Sequence, residues 1–84
     1  MTSDFKPDEW ASYRWEKGDR FYCLGITQDL FGDWSVCTGW GSLYSRRGRF
    51  ITKAVNSRDE AIALYHKVAR RREERGYSLI DKRN

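Results

Sequence analysis

The fold of this chain is decided by residues 20–41, which read RFYCLGITQDLFGDWSVCTGWG. Within this stretch, residues 20–28 and 34–41 each alternate between two kinds of side chain at every second position, which is the repeat of a β-strand. The segment DLFGD between them is rich in turn-forming residues, and Gly32 can supply the positive φ that such turns often need. The pattern therefore predicts a β-hairpin.

The two faces of the predicted hairpin differ in bulk. Folding the chain about the turn sets Cys23 opposite Gly39 on the leaner face. It likewise sets Cys37 opposite Gly25, so the two cysteines are diagonal neighbours and too far apart for good disulfide geometry. We expect two free thiols. The other face carries large side chains that another element must cover, namely Tyr22, Leu24, Ile26, Trp34, Val36, Thr38 and Trp40.

A helix predicted at residues 58–75 is the element that covers this bulky face. It begins with the capping box Ser57-Arg58-Asp59-Glu60, in which the Ser57 hydroxyl accepts a hydrogen bond from the Glu60 amide. Gly76 stands where a left-handed C-cap is needed. We expect the apolar stripe between these ends to pack on the sheet, and its members are Ala61, Ile62, Leu64, Tyr65, Val68 and Ala69.

The remaining segments complete one domain. Residues 12–16, 48–55 and 77–80 favour short strands, and residues 42–47 favour a polar loop. We therefore expect an α+β fold, in which an antiparallel β-sheet of about four to five strands has one long amphipathic helix packed across one face. The expected organisation is a loosely ordered N-terminal arm at residues 1–12, a single domain at residues 13–81 and a C-terminal tail at residues 82–84.

Length and composition indicate a small globular domain. A chain of 84 residues buries a modest core, and aromatic residues, at 15% of the total, supply an unusual share of it. Two cysteines are too few for the disulfide framework of a small secreted domain. Neither a signal peptide nor an apolar run long enough to span a membrane is recognisable. We expect a cytoplasmic protein with no membrane partner.

The net charge of +4 is unevenly distributed along the chain. Residues 1–33 carry seven acids against four bases, whereas residues 34–84 carry twelve bases against five acids. Such an asymmetry favours a basic face and an anionic partner, of which nucleic acid is the most common.

Catalytic and metal-binding patterns are weak in this sequence. His66 is the only histidine, and its helix position faces away from the apolar stripe and from the two cysteines. No base is placed beside either thiol, and the glycines are scattered rather than gathered in a phosphate-binding loop. We expect no enzyme activity, no catalytic residue, no cofactor and no metal.

A cluster of basic and aromatic residues follows Trp40 in the sequence. No acid falls between Trp34 and Asn56. Guanidinium groups pair with phosphate oxygens and exposed aromatic rings stack on bases or sugars, so the mixture suits nucleic acid. A charged hairpin end with buried aromatic residues explains the same pattern. The residues concerned are Arg46, Arg47, Arg49 and Lys53, interleaved with Trp40, Tyr44 and Phe50.

A second basic cluster ends the helix, with Arg70, Arg71, Arg72 and Arg75. Cations in the last turn complement the helix dipole, and Glu73 and Glu74 partly neutralise them. We favour a structural role for this cluster.

Several of these segments together resemble the WGR domain. The resemblance is carried by residues 29–36, DLFGDWSV, followed by Trp40-Gly41, and it extends from Arg20 to Tyr77. The family occurs as a DNA-binding module of poly-ADP-ribose polymerases and as stand-alone bacterial proteins, and this chain is similar to the stand-alone type. Ser42 stands where the signature normally has Arg, and Tyr44 stands where a Gly is expected.

The resemblance implies a role for Trp40, because the signature tryptophan of the polymerases packs on the sugar of a terminal nucleotide. We therefore expect a partly exposed Trp40 and a nucleic-acid-binding module that favours DNA, at duplex ends or breaks. The predicted site consists of Trp40, Gly41, Tyr44, Arg46, Arg47, Arg49 and Lys53. The alternative is a protein-protein interaction module that uses an exposed aromatic patch around Trp10, Trp15 and Trp40.

Overall fold

The structure, a computed structural model that describes residues 8–45 and 48–83, has one antiparallel sheet with a helix against it. The elements are β1 at Asp8–Lys17, β2 at Arg20–Gln28, β3 at Trp34–Ser42, β4 at Gly48–Val55, α1 at Arg58–Glu74 and β5 at Ser78–Arg83. Within the sheet the strand order is β4-β3-β2-β1-β5. The predicted α+β fold is confirmed.

The central hairpin has the register that the alternation predicted. Cys23 pairs with Gly39, and Gly25 pairs with Cys37. Gly32 in the connecting turn has a φ of 85°, the left-handed conformation that glycine adopts without strain. Both cysteines are free thiols, and burial raises the pKa of the Cys23 thiol above its ordinary value.

Strand β1 is longer than predicted and lies inside the sheet, between β2 and β5. It begins at Asp8, so residues 8–12 of the predicted loose arm belong to the sheet. Core packing holds this part of the chain in the sheet, because Ala11 is 1% exposed and lies in the core. The side chain of Trp10 meets the Trp34 ring edge to face, with 6.0 Å between the ring centroids.

Strand β5 forms one edge of the sheet and extends to Arg83. Ser12 pairs with Arg83 and Tyr13 with Lys82, so residues 82 and 83 of the predicted tail are also strand. Residues 1–7, 46, 47 and 84 lie outside the described residues.

The helix is capped at both ends by local chemistry. Ser57 Oγ accepts a hydrogen bond from Glu60 N at 3.1 Å, while the Glu60 carboxylate accepts from Asn56 N at 2.9 Å. The helix ends at Glu74, one residue earlier than predicted. Beyond it, Tyr77 N donates to Arg72 O and Gly76 N donates to Glu73 O, the paired bonds of a Schellman motif.

The core is small and rich in aromatic side chains. Tyr65 of the helix stacks on Tyr13 of β1, with centroids 3.9 Å apart and an interplanar angle of 23°. Ala61 is fully buried, whereas Ile62, expected in the stripe, is half-buried and outside the core cluster. The buried residues are Ala11, Tyr13, Trp15, Leu24, Ile26, Val36, Val55 and Ala61, with Leu64, Tyr65, Val68 and Ala69 of the helix packed against them. The helix in the described part of the chain is not long and apolar enough to cross a membrane.

Candidate nucleic-acid interface

Trp40 lies on the bulky side of the sheet and near the end of β3. Its cross-strand partners are Tyr22 on β2 and Arg49 on β4, and directly paired residues point to the same face of a sheet. The Trp40 ring stacks on Tyr22, with 6.0 Å between centroids and 13° between planes. Trp40 is half-buried. The ring is thus held by its neighbour while part of it faces solvent.

Arg72, in the last turns of α1, lies over two aromatic rings. Its guanidinium carbon is 4.3 Å from the centroid of the Tyr22 ring and 5.0 Å from that of Tyr77, both within cation–π range. Its Nε is buried and has no hydrogen-bond partner among the described residues. Guanidinium groups bind oxygen-rich anions, and the two rings hold this one in place.

The side chains around Trp40 and Arg72 form an open groove of about 350 Å³. We call it the tryptophan groove, and its lining is Arg20, Tyr22, Trp40, Arg72, Arg75 and Tyr77. The lining contains three arginines and no acid. A second hollow of about 560 Å³ continues from it along the β1–β2 turn and shares Arg20, Arg75 and Tyr77. Together they make a channel past the end of the helix, lined by four basic residues (Lys17, Arg20, Arg72 and Arg75) and one acid, Asp19.

Within residues 8–45 and 48–83, no arginine of the groove forms an ion pair. In the described ranges, the ion pairs join Arg14 with Glu16, Arg70 with Glu74, and Arg83 with Asp81. The negative end of the helix dipole has its own cation, because Lys17 Nζ donates to Arg75 O at 2.6 Å. The groove therefore keeps a positive charge available for an external anion.

A family model, that of the WGR domain, matches residues 12–84, nearly the whole chain. The chain belongs to the WGR family. Domains of this family are nucleic-acid-binding modules, which agrees with a basic groove beside the signature tryptophan. No curated protein and no solved structure matches the chain.

The WGR domain brings some of the predicted site residues together and separates others. Arg49 is exposed and lies beside Trp40. Gly41 pairs with Phe21 at the end of the hairpin, and Tyr44 is 87% exposed in the following turn. Lys53 pairs with Val36, so it lies about 13 Å along β4 from Arg49 at roughly 3.3 Å per residue. Arg46 and Arg47 lie outside the described residues.

One side of the groove is provided by the helix, and the predicted site does not include it. For the helix-end arginines the sequence favours a structural role, yet two of them, Arg72 and Arg75, line the groove together with Trp40. A signal was present, because residue 72 continues the apolar stripe four positions after Val68 and carries a charge there. An arginine on the core-facing side of a helix needs an aromatic or anionic partner. Here Tyr22 and Tyr77 serve as the aromatic partners.

The exposed tryptophan patch of the alternative hypothesis is absent from the described part of the WGR domain. Trp15 is 3% exposed and belongs to the core. Trp10 is half-buried against Trp34. Of the three tryptophans proposed for that patch, Trp40 is the one that lines the tryptophan groove.

Proposed function

We propose that this WGR domain binds DNA at the ends of duplexes and catalyses no reaction. The observation that carries the proposal is the half-exposed Trp40 ring in one groove with the guanidinium groups of Arg20, Arg72 and Arg75. Phosphate oxygens are ligands of guanidinium groups, and a flat ring packs on sugars and bases. The groove therefore suits the place where a DNA strand ends and its last sugar is accessible.

Because the signature arginine is absent, other residues must supply the positive charge beside Trp40. Ser42 replaces it, and the Ser42 hydroxyl accepts a hydrogen bond from Tyr44 N at 3.2 Å within the loop. Arg72 and Arg75 supply charge from the helix instead, and Arg49 supplies it from the neighbouring strand. In this proposal they hold phosphates while Trp40 contacts the terminal sugar.

The proposal of a binding module rather than an enzyme rests on the lining of the groove. Arginine, tyrosine and tryptophan side chains provide donors and flat surfaces, and the lining holds no histidine, carboxylate or thiol. His66 lies on the exposed side of the helix beside Tyr65, with ring centroids 5.1 Å apart. It is not part of the groove lining.

The test compares two labelled duplexes of the same sequence, one with open ends and one with both ends closed by covalent loops. We expect tighter binding to the open duplex, measured by fluorescence anisotropy at two salt concentrations. Trp40→Ala should weaken binding to the open duplex about 5- to 150-fold, which corresponds to roughly 1–3 kcal/mol of stacking. It should leave the weaker binding to the closed duplex nearly unchanged.

The control variant is Phe50→Ala, which removes an aromatic ring that is 65% exposed from the other face of the sheet. It should bind both duplexes like the wild type. Equal wild-type affinity for open and closed duplexes would contradict end recognition and leave binding by charge alone. A Trp40→Ala variant that unfolds, as measured by circular dichroism, would make Trp40 a stability residue and contradict the proposed contact.

A further inference from the structure

The turn between β2 and β3 presents two apolar side chains to solvent. Leu30 is 69% exposed and Phe31 is 87% exposed. Two carboxylates flank them, because Asp29 and Asp33 are also exposed. We call residues 29–33 the hairpin tip. An exposed leucine and phenylalanine side by side are typical of a protein contact rather than of a solvated turn.

The backbone of the hairpin tip is fixed by hydrogen bonds. Asp29 Oδ1 accepts from Phe31 N and from Asp33 N, both at 2.9 Å. Gly32 N donates to Asp29 O at 3.1 Å, and Asp29 N donates to Asp33 O at 3.0 Å. A tip that is already ordered loses little conformational entropy when it binds, so its apolar side chains are ready to act as anchors.

The charge of the hairpin tip argues against nucleic acid as its partner. Asp29 and Asp33 repel phosphates, and the tip lies at the far end of the hairpin from Trp40. Trp34 and Trp40 are six residues apart on β3, about 20 Å at roughly 3.3 Å per residue. The tip is therefore separate from the tryptophan groove, and its partner is an apolar surface with basic neighbours.

Strand β4 of the same chain offers such a surface. Ile51 is 56% exposed on an edge strand of the sheet. Arg49 and Lys53, two residues before and after it, share its face and are exposed. We call these three residues the edge patch. The hairpin tip has apolar side chains between two acids, and the edge patch has an apolar side chain between two bases.

We propose that two copies of this chain associate reciprocally, each hairpin tip lying on the edge patch of the other. The tip and the patch are close in one molecule, because Lys53 pairs with Val36, two residues from the tip end of β3 at Trp34. A twofold axis between the two copies places the tip of each copy on the patch of the other. Both contacts form at the same time, so the assembly closes at two chains. Phe31 packs on Ile51, and Asp33 meets Lys53.

Sedimentation velocity over a concentration series tests the pair, from about 10 μM to about 1 mM, the range of weak protein contacts. The mass should rise to that of two chains and stop there, and high salt should weaken the association. Phe31→Ser and Ile51→Ser should each weaken it at least about tenfold. The matched control is Ile80→Ser, an isoleucine that is 51% exposed on the other edge strand, which should associate like the wild type.

Charge reversal gives the sharper result, because Asp33 contributes only its backbone to the hydrogen bonds of the tip. Asp33→Lys and Lys53→Asp should each be monomeric alone, and an equimolar mixture of the two variants should again form pairs. Thermal melts establish that each variant is folded. A wild type that stays monomeric at the highest concentration overturns the proposal and assigns the tip to a different protein. A mass that rises beyond two chains, or a mixture of reversed variants that stays monomeric, also overturns it.

Discussion

Replacing Arg72 with methionine separates the two roles that a half-buried arginine beside a binding groove can have. Methionine keeps an unbranched stem of similar reach and removes the charge. The lost cation–π contacts with Tyr22 and Tyr77 are worth about 0.5–1 kcal/mol each. The buried Nε has no partner among the described residues, so removing it eliminates a desolvation penalty of roughly 1–3 kcal/mol and stabilises the folded state by that amount. The two effects oppose each other, so we expect the free energy of unfolding to change by at most about 1–2 kcal/mol.

The affinity of Arg72→Met for duplex DNA should fall even though the fold is kept. Loss of one phosphate contact lowers the slope of log affinity against log salt concentration by about 0.9. Thermal melting, with about 4–8 °C per kcal/mol for a domain of this size, gives the stability, and anisotropy titrations at several salt concentrations give the slope. The control is Arg70→Met, since Arg70 is exposed and pairs with Glu74 at 3.7 Å outside the groove. A destabilisation above about 3 kcal/mol would assign Arg72 to the fold alone, and an unchanged salt slope would place the phosphate elsewhere.

Four further predictions test the core, the thiols and three arginines of the predicted site. Leu24→Ala should lower the free energy of unfolding by about 2–5 kcal/mol in urea denaturation, because Leu24 is 1% exposed; a wild-type midpoint would mean that the helix does not cover it. The intact mass under non-reducing conditions should correspond to two thiols, and a loss of two hydrogens would contradict this. The raised pKa of Cys23 means that the folded state holds this proton more tightly. Its stabilising contribution is therefore complete below the ordinary thiol pKa and is lost as the pH rises through the raised one, which pH-dependent melts would detect. The triple change of Arg46, Arg47 and Arg49 to alanine should weaken DNA binding about equally for all sequences and flatten its salt dependence, and an unchanged affinity would assign the phosphate contacts to the helix end.

The parts of this fold that the sequence predicts are those fixed by local chemistry. The Cys23–Gly39 pairing follows from counting outward from a five-residue turn, since strand side chains repeat every two residues. The helix caps follow from Ser57 and Gly76, each of which acts within a few residues of itself. Neither inference needs knowledge of a distant contact.

The parts that it does not predict depend on long-range packing. The start of β1 at Asp8 is hidden by a register irregularity between Glu9 and Ala11, which interrupts the alternation. The groove is hidden for the same kind of reason, because Arg72 and Trp40 are 32 positions apart and meet only when the helix crosses the sheet. Basic residues are clustered near both Arg72 and Trp40 in the sequence, but the sequence does not show which cluster faces the tryptophan.

The place of β1 inside the sheet has a consequence for the order in which the chain folds. Strands β1 to β4 form a meander of neighbouring hairpins, so they can pair one after another as the chain leaves the ribosome. Until the helix follows, the aromatic face that includes Tyr13 and Trp15 has no cover. Strand β5 pairs with β1 across almost the whole chain, from Ser12 to Arg83, so this contact closes last. A nascent chain that stops before the helix therefore exposes the aromatic face of the sheet and an unpaired edge of β1. Such an aggregation-prone intermediate is the kind that chaperones recognise.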